Sequence, residues 1–422
     1  MINFLSKWIP IKRCHRIPGL LALCLAMLPV FAKASLVVRI SEAANENVRF
    51  DLSADGVEPV CTGRNGQVFN PALGMRKLSD TSYVQQLNSE APDGEEYLKA
   101  ARMGGGIYIY LPFFFPAREC KGVVFEIAAQ HILWGDKWYS GSTRFPSEEA
   151  RGKAIFFTNE LTPVVQGSSY FDAGIPAPTL ARLQTSFGKV SAFYQNVLKV
   201  NPQKDIGVVT AVVRNKGNYS GFGGDSVNII RMSYDNPTPA QLLTLDEIMP
   251  STFAHELAHK LQRDEVYKLP LARYIVEGQA DFLKIIVLRN SGLISENAAK
   301  QRVLKAAGDC AKFSDTRTVH EKIEQKAVDF REPYDCGMVY YFVSYYSSGL
   351  QSWDFMDALG KAMLAENIYG GQEDNLCLLF ESTCVNERLK GVIGDKAHYT
   401  PQIQWLEGVL TNHPLPLLNR RN

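Results

Sequence analysis

The spacing of the hydrophobic residues changes along the chain and divides it into parts of different character. From residue 35 to about residue 165 they form short runs bounded by Gly and Pro, such as Gly106–Phe115 and Gly122–Ala128, a pattern typical of β-strands. Pro178–Val200 instead has apolar residues at helical spacing, and the pattern is mostly helical from Pro239 onward. The sequence therefore predicts an α+β protein with a β-rich N-terminal domain and a helical C-terminal region.

A mixed segment lies between these parts. Ile206–Val213 and Val227–Met232 are rich in β-branched and other apolar residues and predict two strands. Gly221–Gly224 (GFGG) separates them, and its glycines favour a turn. This segment predicts a small sheet next to the helices that follow.

The N-terminus has the organisation of a secretory signal peptide. Residues 1–16 carry four basic residues and no acidic one, and an apolar run of 14 residues extends from Pro18 to Phe31. Ala32 and Ala34 then supply the small residues that a signal peptidase recognises. A membrane anchor is the alternative, but a spanning helix needs about 20 apolar residues. We expect a signal peptide at residues 1–34, with cleavage near Ala34/Ser35, and a secreted or periplasmic protein.

The net charge of the mature chain limits the classes of molecule that it is expected to bind. Removal of residues 1–34 leaves 40 basic and 44 acidic residues, which is a net charge of −4. A chain with this balance has no basic field for nucleic acid. No later segment is long and apolar enough to span a bilayer, so we expect no integral membrane segment after cleavage. The oligomeric state stays open.

Six cysteines remain in the mature chain, and an even number in an exported protein predicts disulfide bonds. Proximity in the sequence favours three pairs, which are Cys61–Cys120, Cys310–Cys336 and Cys377–Cys384. The alternative is a zinc site built from thiolates. Such a site needs closely spaced Cys-x-x-Cys pairs, and the sequence contains none.

The strongest chemical signal is an H-E-x-x-H motif (HELAH) that begins at His255. His255 and His259 lie four residues apart and share one face of a helix, where both imidazoles can bind one zinc ion. Glu256 can reach a water molecule at that ion and act as general base. Pro250 suits the first turn of such a helix. The motif predicts a hydrolytic zinc site.

A third zinc ligand is expected on the next apolar helix. Glu277 comes 18 residues after His259, within EGQAD, and Asp281 follows four residues later on the same helix face. Glu277 can ligate the zinc. Asp281 can accept the free N–H of a ligand histidine, as carboxylates around metal ligands commonly do. The alternative is that both are solvated helix charges.

These motifs resemble the gluzincin metallopeptidases, and the aminopeptidase N type in particular. That family carries HELAH, then a helix with Glu-Gly-x-Ala, then Tyr-x-Lys-Gly, often after a proline. This chain has PYDCG from Pro333 to Gly337, so that Cys336 stands where the family usually has lysine. The resemblance spans roughly residues 175–350. It implies that Tyr334 stabilises the oxyanion of a tetrahedral intermediate.

The pattern of strands and helices, together with the resemblance for the central part, predicts the following domain organisation. Residues 35–170 form the β-rich N-terminal domain, residues 171–350 a thermolysin-like zinc peptidase core with a small mixed sheet plus helices, and residues 351–422 a helical C-terminal region. In the family a glycine-rich edge strand precedes the zinc helix, and Gly221–Ser226 matches that position. An exposed strand there binds an extended peptide by strand addition.

Specificity for a free amino terminus stays open. The family's edge strand includes a glutamate that holds the α-amine of the substrate, and that glutamate is missing here. Asp225 is either its replacement or an ordinary turn residue. Cleavage as an aminopeptidase or as an endopeptidase is therefore undecided.

The leading hypothesis is a zinc-dependent metallopeptidase with one zinc ion per chain and a peptide or protein substrate. One alternative is a binding module that keeps a peptidase fold but turns over little. Another is a zinc hydrolase that acts on a non-peptide substrate. All the residue types that the reaction needs are present, which favours an active enzyme.

Overall fold

The structure is a computed structural model. It describes residues 35–55, 68–88, 99–117, 120, 122–201, 203–214, 221–262, 272–314, 316–317, 319–364 and 400–418. The predicted signal peptide lies outside these ranges. Cys61 of the predicted pair Cys61–Cys120 and both cysteines of the predicted pair Cys377–Cys384 also lie outside them. Within the described ranges, no helix has the length and hydropathy needed to cross a membrane.

The first part of the described chain folds into a nine-stranded sheet. Its strands are β1 (Ser35–Ala43), β2 (Asn47–Asp55), β3 (Arg76–Ser79), β4 (Ser82–Gln86), β5 (Ala100–Met103), β6 (Gly106–Tyr110), β7 (Val124–Trp134), β8 (Lys137–Pro146) and β9 (Ala154–Thr158). They run in the order β3-β4-β2-β1-β7-β9-β6-β5, and β8 pairs with β7. β1 and β7 pair in parallel. The short helices Pro71–Leu73, Leu111–Phe114 and α1 (Ser147–Ala150) connect the strands.

A second sheet has five strands in the order β10-β11-β12-β14-β13. They are β10 (Val164–Gln166), β11 (Ser169–Phe171), β12 (Gly207–Val213), β13 (Gly221–Ser226) and β14 (Ile229–Asp235), and α2 (Ala177–Asn196) packs on this part of the chain. β11, β12 and β14 run in parallel, whereas β10 and β13 are antiparallel to their neighbours. The sheet is therefore mixed, and β13 forms one edge of it.

The glycine-rich segment is a strand and not the turn that its composition favours. β13 pairs with β14 from Gly221 opposite Asp235 to Ser226 opposite Ile230. Glycine has little conformational preference of its own, so the hydrogen bonds to β14 keep this segment extended. The expectation of a turn was wrong, and the expectation of a glycine-rich edge strand before the helix with the H-E-x-x-H motif is met.

The rest of the described chain is helical. Its helices are α3 (Pro239–Leu242), α4 (Leu245–His259), α5 (Ala272–Asn290), α6 (Glu296–Lys312), α7 (Val319–Glu324), α8 (Glu332–Ser348), α9 (Ser352–Leu364) and a last helix over Thr400–Asn412. The predicted α+β class, with a β-rich N-terminal region and helices after it, is confirmed. The domain boundaries at residues 170 and 350 stay predictions.

The helix with the H-E-x-x-H motif begins earlier than the sequence suggested. α4 starts at Leu245, so Pro250 lies inside the helix and not in its first turn. The additional turn before the proline carries Leu245 and Met249, whose side chains are fully buried. Burial of these two side chains offsets the cost of an interior proline.

Three hydrophobic clusters organise the part of the chain that the structure describes. One lies within the first sheet, and the largest joins the second sheet to α2 and the later helices. The third lies between the sheets, where Tyr108 of β6 packs with Val209 of β12. The residues that flank the candidate site, Ala254, Leu257 and Val276, belong to the largest cluster, so a packed helical core supports the site.

Candidate metal centre

Two neighbouring helices bring the three predicted ligands together. The Nε2 atoms of His255 and His259 lie 2.9 Å apart. Oε2 of Glu277 lies 3.2 Å from the first nitrogen and 3.5 Å from the second. Tetrahedral zinc with ligands at about 2.0 Å places neighbouring ligand atoms roughly 3.3 Å apart. The donor set and its spacing therefore fit a zinc ion.

His255 is oriented by Asp281, a buried residue of α5. Its Nδ1 lies 2.6 Å from Oδ1 of Asp281, and the ammonium of Lys284 donates to the same oxygen, also at 2.6 Å. A proton on Nδ1 leaves the lone pair of Nε2 facing Glu277 and His259. From the sequence, Asp281 was expected to contact one of the two ligand histidines. In the structure that histidine is His255.

Charge at the centre is arranged to stabilise a cation. Burial alone would lower the pKa of His255, but the carboxylates of Asp281 and Glu277 outweigh it and raise the pKa to about 9. Burial would raise the pKa of Glu277, but its hydrogen bonds to the two histidines lower it to about 2. Carboxylates that favour a proton on His255 also favour a metal ion in the same place.

His259 is oriented by Gln262, a residue that the sequence analysis missed. The amide nitrogen of Gln262 donates to the carbonyl of Val276 at 2.8 Å and to Oε1 of Gln279 at 2.9 Å. These two contacts turn its Oε1 toward His259, whose Nδ1 lies 2.8 Å away. In the sequence only its position three residues after His259 pointed to Gln262, and polar residues at that spacing are too common to identify a partner.

The position of Glu277 depends on a close crossing of α5 and α8. A Cβ atom built on Gly278 would lie 2.4 Å from the backbone of Gly337, and one built on Gly337 would lie 2.4 Å from the carbonyl oxygen of Tyr274. Only glycine allows two helices to approach this closely. The crossing therefore places the ligand-bearing turn of α5 against the first turns of α8, which carry Tyr334.

Glu256 faces the edge strand β13. A Cβ atom built on Gly224 would lie 2.8 Å from Oε1 of Glu256, so the glycine leaves room for this carboxylate. Burial raises the pKa of Glu256, and the two neighbouring histidines only partly oppose it. A buried carboxylate with a raised pKa is suited to accept and return a proton near neutral pH.

Tyr334 lies beside the predicted ligands. Its ring is nearly parallel to that of His255, at 21°, with 5.9 Å between the ring centroids. Burial and the charge of Glu277 raise the pKa of Tyr334, while the guanidinium of Arg273 opposes this shift. The hydroxyl therefore keeps its proton at neutral pH and can act as a hydrogen-bond donor.

A disulfide bond holds the helix that carries Tyr334. Cys336 of α8 is bonded to Cys310 of α6, and both residues are fully buried. The predicted pairing of these two cysteines is confirmed. The bridge lies two residues after Tyr334 and ties the first turns of α8 to the end of α6.

Asp225 is engaged within the protein. Its Oδ2 lies 2.6 Å from Nε of Arg231, and its Oδ1 accepts a hydrogen bond of 3.0 Å from the hydroxyl of Tyr108. Asp225 and Arg231 are both buried. The turn role considered for Asp225 does not apply, because the residue lies in β13, and its carboxylate has internal partners.

Neither a protein-family model nor a curated protein matches this sequence. Among solved structures, the chain is similar to a point mutant of an M1 zinc metallopeptidase from Deinococcus radiodurans, bound to a Tyr-Ser-Ala substrate. The identity is 12%, the match covers 86% of this chain and 93% of that chain, and the TM-score is 0.47.

Proposed function

We propose that this protein is a zinc-dependent peptidase with one zinc ion held by His255, His259 and Glu277. The observation that supports this most strongly is the convergence of their three donor atoms, which all lie within 4.8 Å of one another. Two unprotonated imidazole nitrogens at 2.9 Å repel each other unless a cation or a proton lies near both. A bound zinc ion supplies Lewis acidity, which polarises a carbonyl and lowers the pKa of water.

In this proposal Glu256 is the general base. Its raised pKa, which burial causes, suits a carboxylate that takes a proton from water and later delivers it to the leaving amine. Its position over Gly224 of β13 puts the carboxylate between the zinc helix and the edge strand. A substrate lying along that edge would therefore meet the base directly.

Tyr334 is the proposed donor to the oxyanion. A phenol that keeps its proton can donate to negative charge that develops on the substrate carbonyl, and such donors contribute to rate because they are oriented in advance. The ring contact with His255 and the disulfide bond two residues away support a fixed orientation.

The substrate is proposed to be an extended peptide that pairs with the edge of β13 that no described strand covers. Asp225 is buried, and each of its carboxylate oxygens already has a partner inside the protein, Arg231 and the hydroxyl of Tyr108. This favours cleavage without an anchor for a free amino terminus. We also propose that residues 171–350 form a thermolysin-like catalytic core and that the protein is exported after removal of residues 1–34.

Cleavage of a peptide library by the purified protein tests this proposal. We expect cleavage products that disappear with a chelator and return when zinc is added. Zinc binding without any cleavage would favour the alternative of a binding module. Hydrolysis of esters or other acyl compounds but of no peptide would favour the non-peptide hydrolase.

A further inference from the structure

A cationic and aromatic rim lies next to Tyr334. The ring of Phe330 lies 5.6 Å from that of Tyr334, and the guanidinium carbon of Arg273 lies 5.0 Å from the centre of the Phe330 ring. Phe330 is 63% exposed. Contacts therefore continue from His255 through Tyr334 and Phe330 to a cation that is partly open to solvent.

Two arginines belong to this rim, and they differ in their charge balance. Arg331 lies over the ring of Tyr334 at 5.0 Å, but its guanidinium also donates to Asp335 at 3.1 Å. Arg273 forms no ion pair with a carboxylate among the described residues. Its guanidinium lies over the Phe330 ring and opposes the rise in the pKa of Tyr334. Within the part of the chain that the structure describes, Arg273 is thus the cation of this rim that has no carboxylate partner.

Arg273 lies over an aromatic face and donates to no carboxylate of the described residues, which leaves most of its donors available to a ligand. Guanidinium presents five N–H groups in a planar fork that matches a carboxylate. Paired charges of this kind make shorter and stronger hydrogen bonds than neutral groups do. Because the ring of Phe330 contacts both Arg273 and Tyr334, a carboxylate bound to Arg273 would lie near the phenol that is proposed to meet the oxyanion.

Building on the proposed peptidase function, we propose that Arg273 binds a carboxylate of the substrate and makes the enzyme selective for peptides with a negative charge next to the cleaved bond. Two sources carry this chemistry: the side chain of Asp or Glu, and a free C-terminal carboxylate. Phe330 packs against the bound segment and partly excludes water, which strengthens the ion pair.

Matched peptides measure this selectivity. One set replaces a single Asp by Asn at each position around the cleaved bond, with amidated C-termini; the other compares free with amidated C-termini. We expect the wild-type ratio of kcat/KM, acid over amide, to reach on the order of 10- to 100-fold at one position. The set that shows the ratio identifies the source of the carboxylate.

Variants assign the ratio to Arg273. In Arg273→Gln the ratio should fall to near one, and Arg273→Lys, which keeps the charge but loses the planar fork, should retain part of it. Arg331→Gln is the matched control: it removes a neighbouring guanidinium that Asp335 already balances, so the ratio should persist. A fall in both rates at an unchanged ratio in Arg273→Gln would mean that Arg273 only positions Tyr334, and it would overturn the proposal.

A binding measurement separates failure of this proposal from failure of the peptidase assignment. The Glu256→Gln variant, loaded with zinc, should bind the preferred acidic peptide more tightly than the matched peptide in which that carboxylate is an amide. In the double variant that also carries Arg273→Gln, the two peptides should bind equally. Equal binding of both peptides would overturn carboxylate selectivity even if the wild type cleaves them. A binding difference without cleavage by the wild type would support the carboxylate site and refute the peptidase.

Discussion

Two clusters of buried charge lie on either side of the contact between α4 and β13, and they are built in opposite ways. In the Asp225 cluster every charge has a partner inside the protein. Asp225 pairs with Arg231 and accepts a hydrogen bond from Tyr108, and Arg231 also donates to the hydroxyl of Ser233. In the metal centre the outer atoms of the histidines are paired, but the inner atoms converge without a cation of the protein between them.

This difference separates a structural cluster from a functional one. A buried ion pair with all its hydrogen bonds made is complete and needs no ligand. Two imidazole nitrogens and a carboxylate that face one point need a proton or a metal cation between them. The comparison predicts that changes in the metal centre affect zinc and turnover, whereas changes in the Asp225 cluster affect stability.

The largest effect on the metal centre is expected from loss of a histidine ligand. His255→Ala or His259→Ala should remove the zinc, because a three-ligand protein site with one ligand missing holds the ion poorly. Elemental analysis of purified, zinc-reconstituted protein measures this, and circular dichroism controls for folding. A folded wild-type protein that holds no zinc would refute the site itself.

Glu256→Gln should keep the zinc and lose turnover. An amide cannot take a proton from water, and loss of a general base typically lowers rate by about 10²- to 10⁴-fold. Cleavage rate and zinc content measured on the same sample separate the two effects. Cleavage near the wild-type rate would show that Glu256 is not the base.

A smaller effect is expected from the residues that orient the histidines. Asp281→Ala should weaken zinc binding by roughly 10- to 100-fold, the range for groups that hold metal ligands. Gln262→Ala should weaken it less, because a neutral amide raises the basicity of His259 less than a carboxylate raises that of His255. Zinc competition with a calibrated chelator gives both values, and an equal loss in the two variants would contradict the ranking.

The disulfide bond should affect turnover more than zinc. Cys310→Ser with Cys336→Ser frees the start of α8, and small displacements of Tyr334 from the substrate carbonyl lower the rate. We expect several-fold slower cleavage with most of the zinc retained. If zinc and activity fall together, along with near-ultraviolet circular dichroism, the bridge holds the fold and not Tyr334 in particular.

The smallest effect on the metal centre is expected from the Asp225 cluster. Asp225→Asn leaves Arg231 buried without its counter-charge, which should lower the free energy of unfolding by about 3–5 kcal/mol. Zinc stoichiometry should stay at the wild-type value. Urea denaturation and elemental analysis check the two halves of this prediction, and loss of zinc from the folded variant would mean that the two clusters are coupled.

The features that the sequence alone determined are those that local geometry sets. The repeat of an α-helix puts residues i and i+4 on one face, so the shared face of His255 and His259 was readable from their spacing. The same repeat placed Glu277 and Asp281 on one face of the next helix. An even cysteine count and proximity along the chain were enough to pair Cys310 with Cys336.

Only the tertiary structure decided how these local units meet. Asp281 orients His255 because α5 packs on α4. Tyr334 lies beside them because α5 crosses α8 at Gly278 and Gly337, which are 59 residues apart in the sequence.

Asp225 finds Tyr108, which lies 117 residues away, only because the two sheets pack together. The glycines of β13 have no conformational preference of their own for a strand or a turn, so this segment is a strand because it pairs with β14. Contacts between residues far apart in the sequence depend on the summed packing of the whole core, which no short pattern encodes.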